Sequence, residues 1–235
     1  MQPDAGVFGA AIGLILGGDA DLVEVVALSL RVTLSAVALS CAIGLPLGAA
    51  VGALRFAGRG LVAVVLNALM GLPPVVVGLA VYLMLSASGP LGPLRLLYTP
   101  LAMIIAQTIL VTPIVAALTR QSVEDLQAEY GEQFASLGVG PLRRLGALLW
   151  DARIGLITVA LAGFGRAVAE VGAVMIVGGN INHVTRVMTT TIALETSKGN
   201  LTLALALGVV LLAIALIVNA AVMMVRNLAG RMAYA

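Results

Sequence analysis

The sequence predicts an all-α membrane protein that crosses the bilayer about five times. Composition is the first reason. Residues of the set Ala, Val, Ile, Leu, Met, Phe, Trp, Tyr and Cys fill 61% of 235 positions, and Asp, Glu, Lys and Arg only 10%. Mean hydropathy is +1.11. A soluble domain carries about 25% charged residues, so this chain has too few to cover an aqueous surface. The second reason is pattern. Apolar residues fall in continuous runs long enough to cross roughly 30 Å of hydrocarbon as helices. They lack the period-two alternation of a membrane barrel. A soluble monomer, a disordered tail and a disulfide scaffold do not fit. The one cysteine, Cys41, lies in an apolar run and reads as a small packing residue. A net charge of +2 is too small to suggest nucleic acid.

In chain order, residues 1–27 read as an N-terminal interfacial segment. Its apolar stretch Val7–Leu16 is too short to span. No basic residue precedes Arg31, so the stretch does not read as a cleavable signal. Residues 28–225 read as the transmembrane domain, with spans Val32–Leu54, Leu61–Leu85, Leu96–Thr119, Ile154–Val177 and Leu201–Val225. Residues 226–235 read as a cytoplasmic tail. Lysine and arginine set the orientation. Eight lie on one side, in the loop 55–60, the segment 120–153 and the tail, against three on the other, Arg95, Arg186 and Lys198. The richer side is expected to be cytoplasmic, with the N-terminus outside and the C-terminus inside.

Several residues inside the spans stand out. Pro46, Pro73, Pro74 and Pro113 each remove a backbone donor and predict kinks. Pro73 and Pro74 can also mark a gate helix that lines a path. Gly44, Gly48 and Gly52 recur every four residues and predict close approach of another helix, in this chain or a partner. Arg166 and Glu170 stand four apart in the fourth expected span. On one helix face they can pair, which lowers the cost of charge in the membrane. They are either a structural ion pair or part of an anion path. Asn180, Thr189 and Thr190 lie in a Gly-, Asn- and Thr-rich segment between Val177 and Leu201. Such groups can contact an oxyanion without holding it too tightly, or can belong to an ordinary outer loop. His183, the single histidine, reads as a polar loop residue.

The cytoplasmic segment 120–153 predicts two short helices. Gly138 suits a left-handed C-cap and Pro141 the first turn of the next helix. Apolar stripes Val123, Leu126, Tyr130, Phe134, Leu137 and Leu142, Leu145, Leu148, Leu149 lie on either side of the bend. Such a knob can lie on lipid or dock to a cytoplasmic partner.

Glu132-Gln133-Phe134-Ala135-Ser136-Leu137-Gly138 resembles the EAA-x3-G cytoplasmic loop of importer-type ABC transporter permeases, with Gln133 and Phe134 replacing two alanines. Trp150-Asp151 replaces the Leu-Pro that usually follows. Residues Gly163–Asn180 and Thr185–Gly199 closely resemble the tungstate permease family. Gly71-Leu-Pro-Pro-Val-Val-Val-Gly78 is similar to the wider molybdate/tungstate group. The resemblance implies an importer-type ABC permease fold, working as a homodimer around one path. It implies partners: cytoplasmic ABC ATPase subunits and an extracytoplasmic oxyanion-binding protein, besides membrane lipid. It places ATPase coupling at Glu132, Gln133, Phe134, Ala135, Gly138 and Pro141. No Gly-x4-Gly-Lys-Ser/Thr phosphate loop occurs. The expectation is that this chain binds no cofactor or metal and that ATP and magnesium are used by the partner ATPase. Tungstate is the expected substrate, with molybdate or sulfate as alternatives. A membrane-embedded enzyme has no catalytic cluster to stand on. A stand-alone carrier is the remaining class, and it often shows internal repeats that are not found here.

Overall fold

The computed structural model describes residues 9, 12–13 and 16–233, with side chains as far as residue 224. Most of the expected interfacial helix Val7–Leu16 lies outside these residues, as do the side chains of the expected tail. Helix α1 runs Ala20–Ala53, α2 Arg59–Leu69 and α3 Pro74–Leu85. A 3-10 turn at Gly92–Leu94 precedes α4, Pro100–Ser136. Then follow α5 Pro141–Asp151, α6 Arg153–Val168, α7 Gly172–Gly178, α8 Met188–Ser197 and α9 Leu201–Ala233. No strand occurs among the described residues. Helices α1, α4 and α9 are each long and apolar enough to span alone, and two bent pairs raise the number of candidate spans among the described residues from three to five.

Four expectations change. The helix that carries the first expected span starts earlier, at Ala20, so Arg31 lies inside that helix. The second is two helices, not one kinked helix. Pro73 caps α3 in an extended conformation and Pro74 is its first residue, where a missing N–H costs nothing. The first cytoplasmic helix is not separate: it is the end of the 37-residue α4. The fourth span is broken, because α6 stops at Val168 and α7 restarts at Gly172. Helix α6 has 16 residues and reaches span length only together with α5, across a bend of 73°. Pro46 and Pro113 lie inside α1 and α4 without interrupting them.

The chain packs as two compact units. One comprises residues 1–35, 73–107 and 168–219, the other 36–72, 108–167 and 220–235. In the second unit, Gly44, Gly48 and Gly52 turn to α4. A Cβ on Gly48 would lie 2.3 Å from the Ala116 carbonyl oxygen, and one on Gly52 2.9 Å from that of Arg120. The neighbour they admit is therefore in the same chain. Lipid is as apolar as leucine, so such backbone approach, not removal from water, is what joins the helices. Ser40 Oγ adds a hydrogen bond to the Thr108 carbonyl at 3.3 Å. Val111 and Val115 pack with Leu156 and Val159, and Cys41 fills the edge of this cluster.

In the first unit, Gly78 of α3 and Ala173 of α7 meet so closely that a Cβ on Gly78 would lie 2.7 Å from the Ala173 Cα. Leu22 of α1, Met188 of α8 and Ala206 and Leu207 of α9 form its other core. The Met188 N–H donates to Ser29 Oγ at 2.7 Å, which fixes the start of α8 on α1.

Candidate functional site

Two places are built around residues that the sequence singled out: the end of α4 with α5, and the break between α6 and α7.

Helix α4 ends at Ser136, and Gly138 takes φ +61. The Gly138 N–H donates to the Ala135 carbonyl at 3.1 Å and the Val139 N–H to the Phe134 carbonyl at 3.0 Å. This crossed pair is a Schellman cap. It satisfies carbonyls that a helix end otherwise leaves open, and its left-handed position favours glycine. Pro141 begins α5. The inner side chains pack: Val123 and Leu148 are fully buried, with Phe134, Leu145 and Leu149 against them. Arg144 lies over the Phe134 ring at 5.6 Å. Glu132, Gln133 and Ala135 face outward. So do Leu137 and Leu142, 76% and 83% exposed on the two sides of the bend.

Sequence reasoning missed what anchors this knob. Arg59 Nε donates to the Val51 carbonyl at 2.7 Å and its NH2 to that of Gly52 at 2.9 Å. The same guanidinium reaches Glu124 at 2.7 Å, and Arg120 reaches Glu124 at 2.5 Å. One arginine thus caps the last carbonyls of α1 and ties them to α4. The Arg120–Glu124 spacing of four was visible in the sequence; the 65-residue link to Arg59 was not.

At the other place, Arg166 lies half-buried in the last turn of α6, while Glu170 stands past its end and is 3% exposed. The expected shared helix face does not exist, because the helix stops between them. The cause is local. Glu170 Oε1 accepts from the Ala173 N–H at 3.0 Å and so caps α7, an alternative to continuing the helix. The Glu170 carbonyl, freed by the break, accepts from Thr189 Oγ1 at 2.8 Å. Breaks at membrane depth need such replacement partners. Thr190 Oγ1 is buried and turns to Val187, accepting from its N–H at 3.1 Å.

Helix α7 ends on two left-handed residues, Gly179 at φ +69 and Asn180 at φ +49. The Asn180 carbonyl accepts from Arg186 at 3.4 Å, and Arg186 also donates to Asn182 Oδ1 at 2.9 Å. His183, also left-handed at φ +56, places Nδ1 2.8 Å from Glu24 Oε2 on α1. The Glu24 carboxylate raises the His183 pKa above its usual value. Lys198 and Asn200 both donate to Glu195 at 2.9 Å and hold its carboxyl below the usual range. The site residues expected from the sequence fall on different elements. Glu132, Gln133, Phe134, Ala135, Gly138 and Pro141 come together at one bend. Thr189 joins Glu170 at the α6–α7 break, and Pro73 and Pro74 form a break of their own.

No protein-family model matches the chain. Curated proteins do. A probable anion ABC transporter permease protein of Haloferax volcanii is 45% identical over 204 residues, 85% of this chain and 88% of the relative. A tungstate uptake system permease protein of Peptoclostridium acidaminophilum is 41% identical over 222 residues, 94% of this chain and 97% of the relative. One of the same description from Campylobacter jejuni is 42% identical over 150 residues, 64% of this chain and 63% of that protein.

Proposed function

The chain belongs to the family of ABC transporter permease proteins, and from that we propose that it is the membrane subunit of an ATP-driven tungstate importer. The observation that carries the substrate is the 41% identity to a tungstate uptake permease across 97% of that protein's length. In this reading the chain is non-catalytic. Two copies enclose the path, with N-termini outside and C-termini in the cytoplasm. An extracytoplasmic binding protein delivers the oxyanion, and two ATPase subunits bind ATP and magnesium inside.

The bend at Gly138 is the proposed ATPase contact. Leu137 and Leu142 support this, since apolar side chains so exposed beyond the membrane runs mark a surface that a partner covers. Glu132, Gln133 and Ala135 are the proposed outward polar and small contacts, with Phe134 and Pro141 fixing the helix ends. For the path, the breaks at Pro73–Pro74 and at Glu170 are the proposed moving parts, because a broken helix can reorient without unwinding. Arg166 and Asn180 are the proposed anion contacts. Thr189 and Thr190 hold the frame through their hydroxyl hydrogen bonds.

Tungsten accumulation tests the reading. Cells producing the chain with its ATPase and binding protein should take up tungstate, and a tenfold excess of sulfate should leave uptake largely intact. Full uptake without the ATPase subunit would make the chain a stand-alone carrier. Displacement of tungstate by sulfate would change the substrate.

A further inference from the structure

A cavity of about 810 Å³ opens in the second unit where α1 ends, α2 begins and the last turns of α4 meet α5. Three arginines line it, Arg55, Arg59 and Arg144, with Gln127 and the acids Glu124 and Glu132. The charges do not cancel. Glu124 is already bridged by both Arg59 and Arg120. Glu132 is exposed and opposes an anion, but two guanidiniums remain against it. Arg55 is exposed and makes no side-chain bond among the described residues. Arg144 has one long hydrogen bond, 3.5 Å to the Gly131 carbonyl. Its Nε and the Gln127 Oε1 are both buried without a partner among the described residues. Buried polar atoms rarely stay so. A guanidinium donor calls for an anionic oxygen, and an amide oxygen calls for a hydroxyl or N–H donor.

We propose that this cavity binds the headgroup of phosphatidylglycerol, its phosphate on Arg55 and Arg144 and a glycerol hydroxyl on Gln127. Location favours a lipid over a free phosphate ester. Arg55 directly follows the apolar run of α1, and the adjoining residues are exposed and apolar: Phe56 in the loop, then Leu61, Val64 and Val65 on α2. Acyl chains can lie along that face while the headgroup enters the cavity. Basic pockets beside membrane helices take anionic headgroups in this way.

The test uses the full-length chain in nanodiscs and native mass spectrometry. Phosphatidylglycerol should stay bound after extraction where phosphatidylcholine does not. Arg55→Gln, which disturbs no internal bond, should lower retention about fivefold. Arg144→Lys keeps the charge but removes the fork, and should lower it further. Glycerol 3-phosphate is the soluble control. If it protects against thermal unfolding as well as phosphatidylglycerol does, and lipid composition has no effect, the lipid assignment fails. Equal retention of both lipids, or unchanged retention in Arg55→Gln, overturns the site itself.

Discussion

At Gly48 a methyl group would stand 2.3 Å from the Ala116 carbonyl oxygen, inside any allowed contact. Backbone cannot step aside as a side chain can, so Gly48→Ala must push α1 from α4. Overpacking of this kind costs about 1–3 kcal/mol. Thermal unfolding in detergent should show that loss, while Gly60→Ala, with nothing within 4 Å, should stay within about 0.5 kcal/mol. His183 gives a pH prediction. Glu24 accepts its hydrogen bond and raises its pKa above 6.5; Asp21 adds to this and Arg186 opposes it. A raised histidine contributes fully below its unfolded pKa and loses that contribution as pH rises through the folded value. The segment 179–187 should therefore exchange amide hydrogens slowly in mild acid and faster toward neutral and alkaline pH. Glu24→Gln should remove most of that dependence. A loop whose corrected exchange is flat with pH would mean that the pair does not hold it.

Among the elements, the α4–α5 bend rests on a single left-handed glycine. A non-glycine residue there costs on the order of 1 kcal/mol, more when β-branched. Gly138→Val should misdirect α5 while leaving the membrane helices inserted, because nothing packs around this Cβ. Pull-down of the ATPase subunit should fall sharply, with Gly138→Ala milder. Intact pull-down and intact tungstate uptake in Gly138→Val would leave the bend a surface feature only. The α6–α7 break has another logic. A carboxylate caps the new helix and a threonine takes the freed carbonyl. Both groups sit nineteen residues or fewer apart in the chain, yet only folding brings Thr189 to Glu170.

For the whole molecule, the three long apolar helices and two bent pairs among the described residues are few elements with which one copy could enclose an aqueous path. Two copies are expected in the working complex, as proposed above. Cross-linking and native mass measurement in mild detergent should report two permease chains with two ATPase subunits. A transport-competent complex holding one permease would overturn this and leave the family membership intact.

The sequence by itself determined the class and the bend at the end of α4. Charge-free runs of spanning length admit only helices, because lipid offers no partner to an open backbone. Gly138 and Pro141 announced their bend because left-handed geometry and a missing N–H are properties of single residues. The Glu132–Gly138 and Gly163–Gly199 resemblances pointed to the family that the identities then showed. Tertiary structure decided the rest. Apolarity is the same on every face of a membrane helix, so the partner of Gly44, Gly48 and Gly52 could not be read from spacing. The shared helix face expected of Arg166 and Glu170 depended on the helix continuing, and it ends at Val168, which followed from where Glu170 found its donor. Arg59 reached Glu124 across 65 residues, a pairing that no local pattern encodes and that the close approach of α1 to α4 made possible.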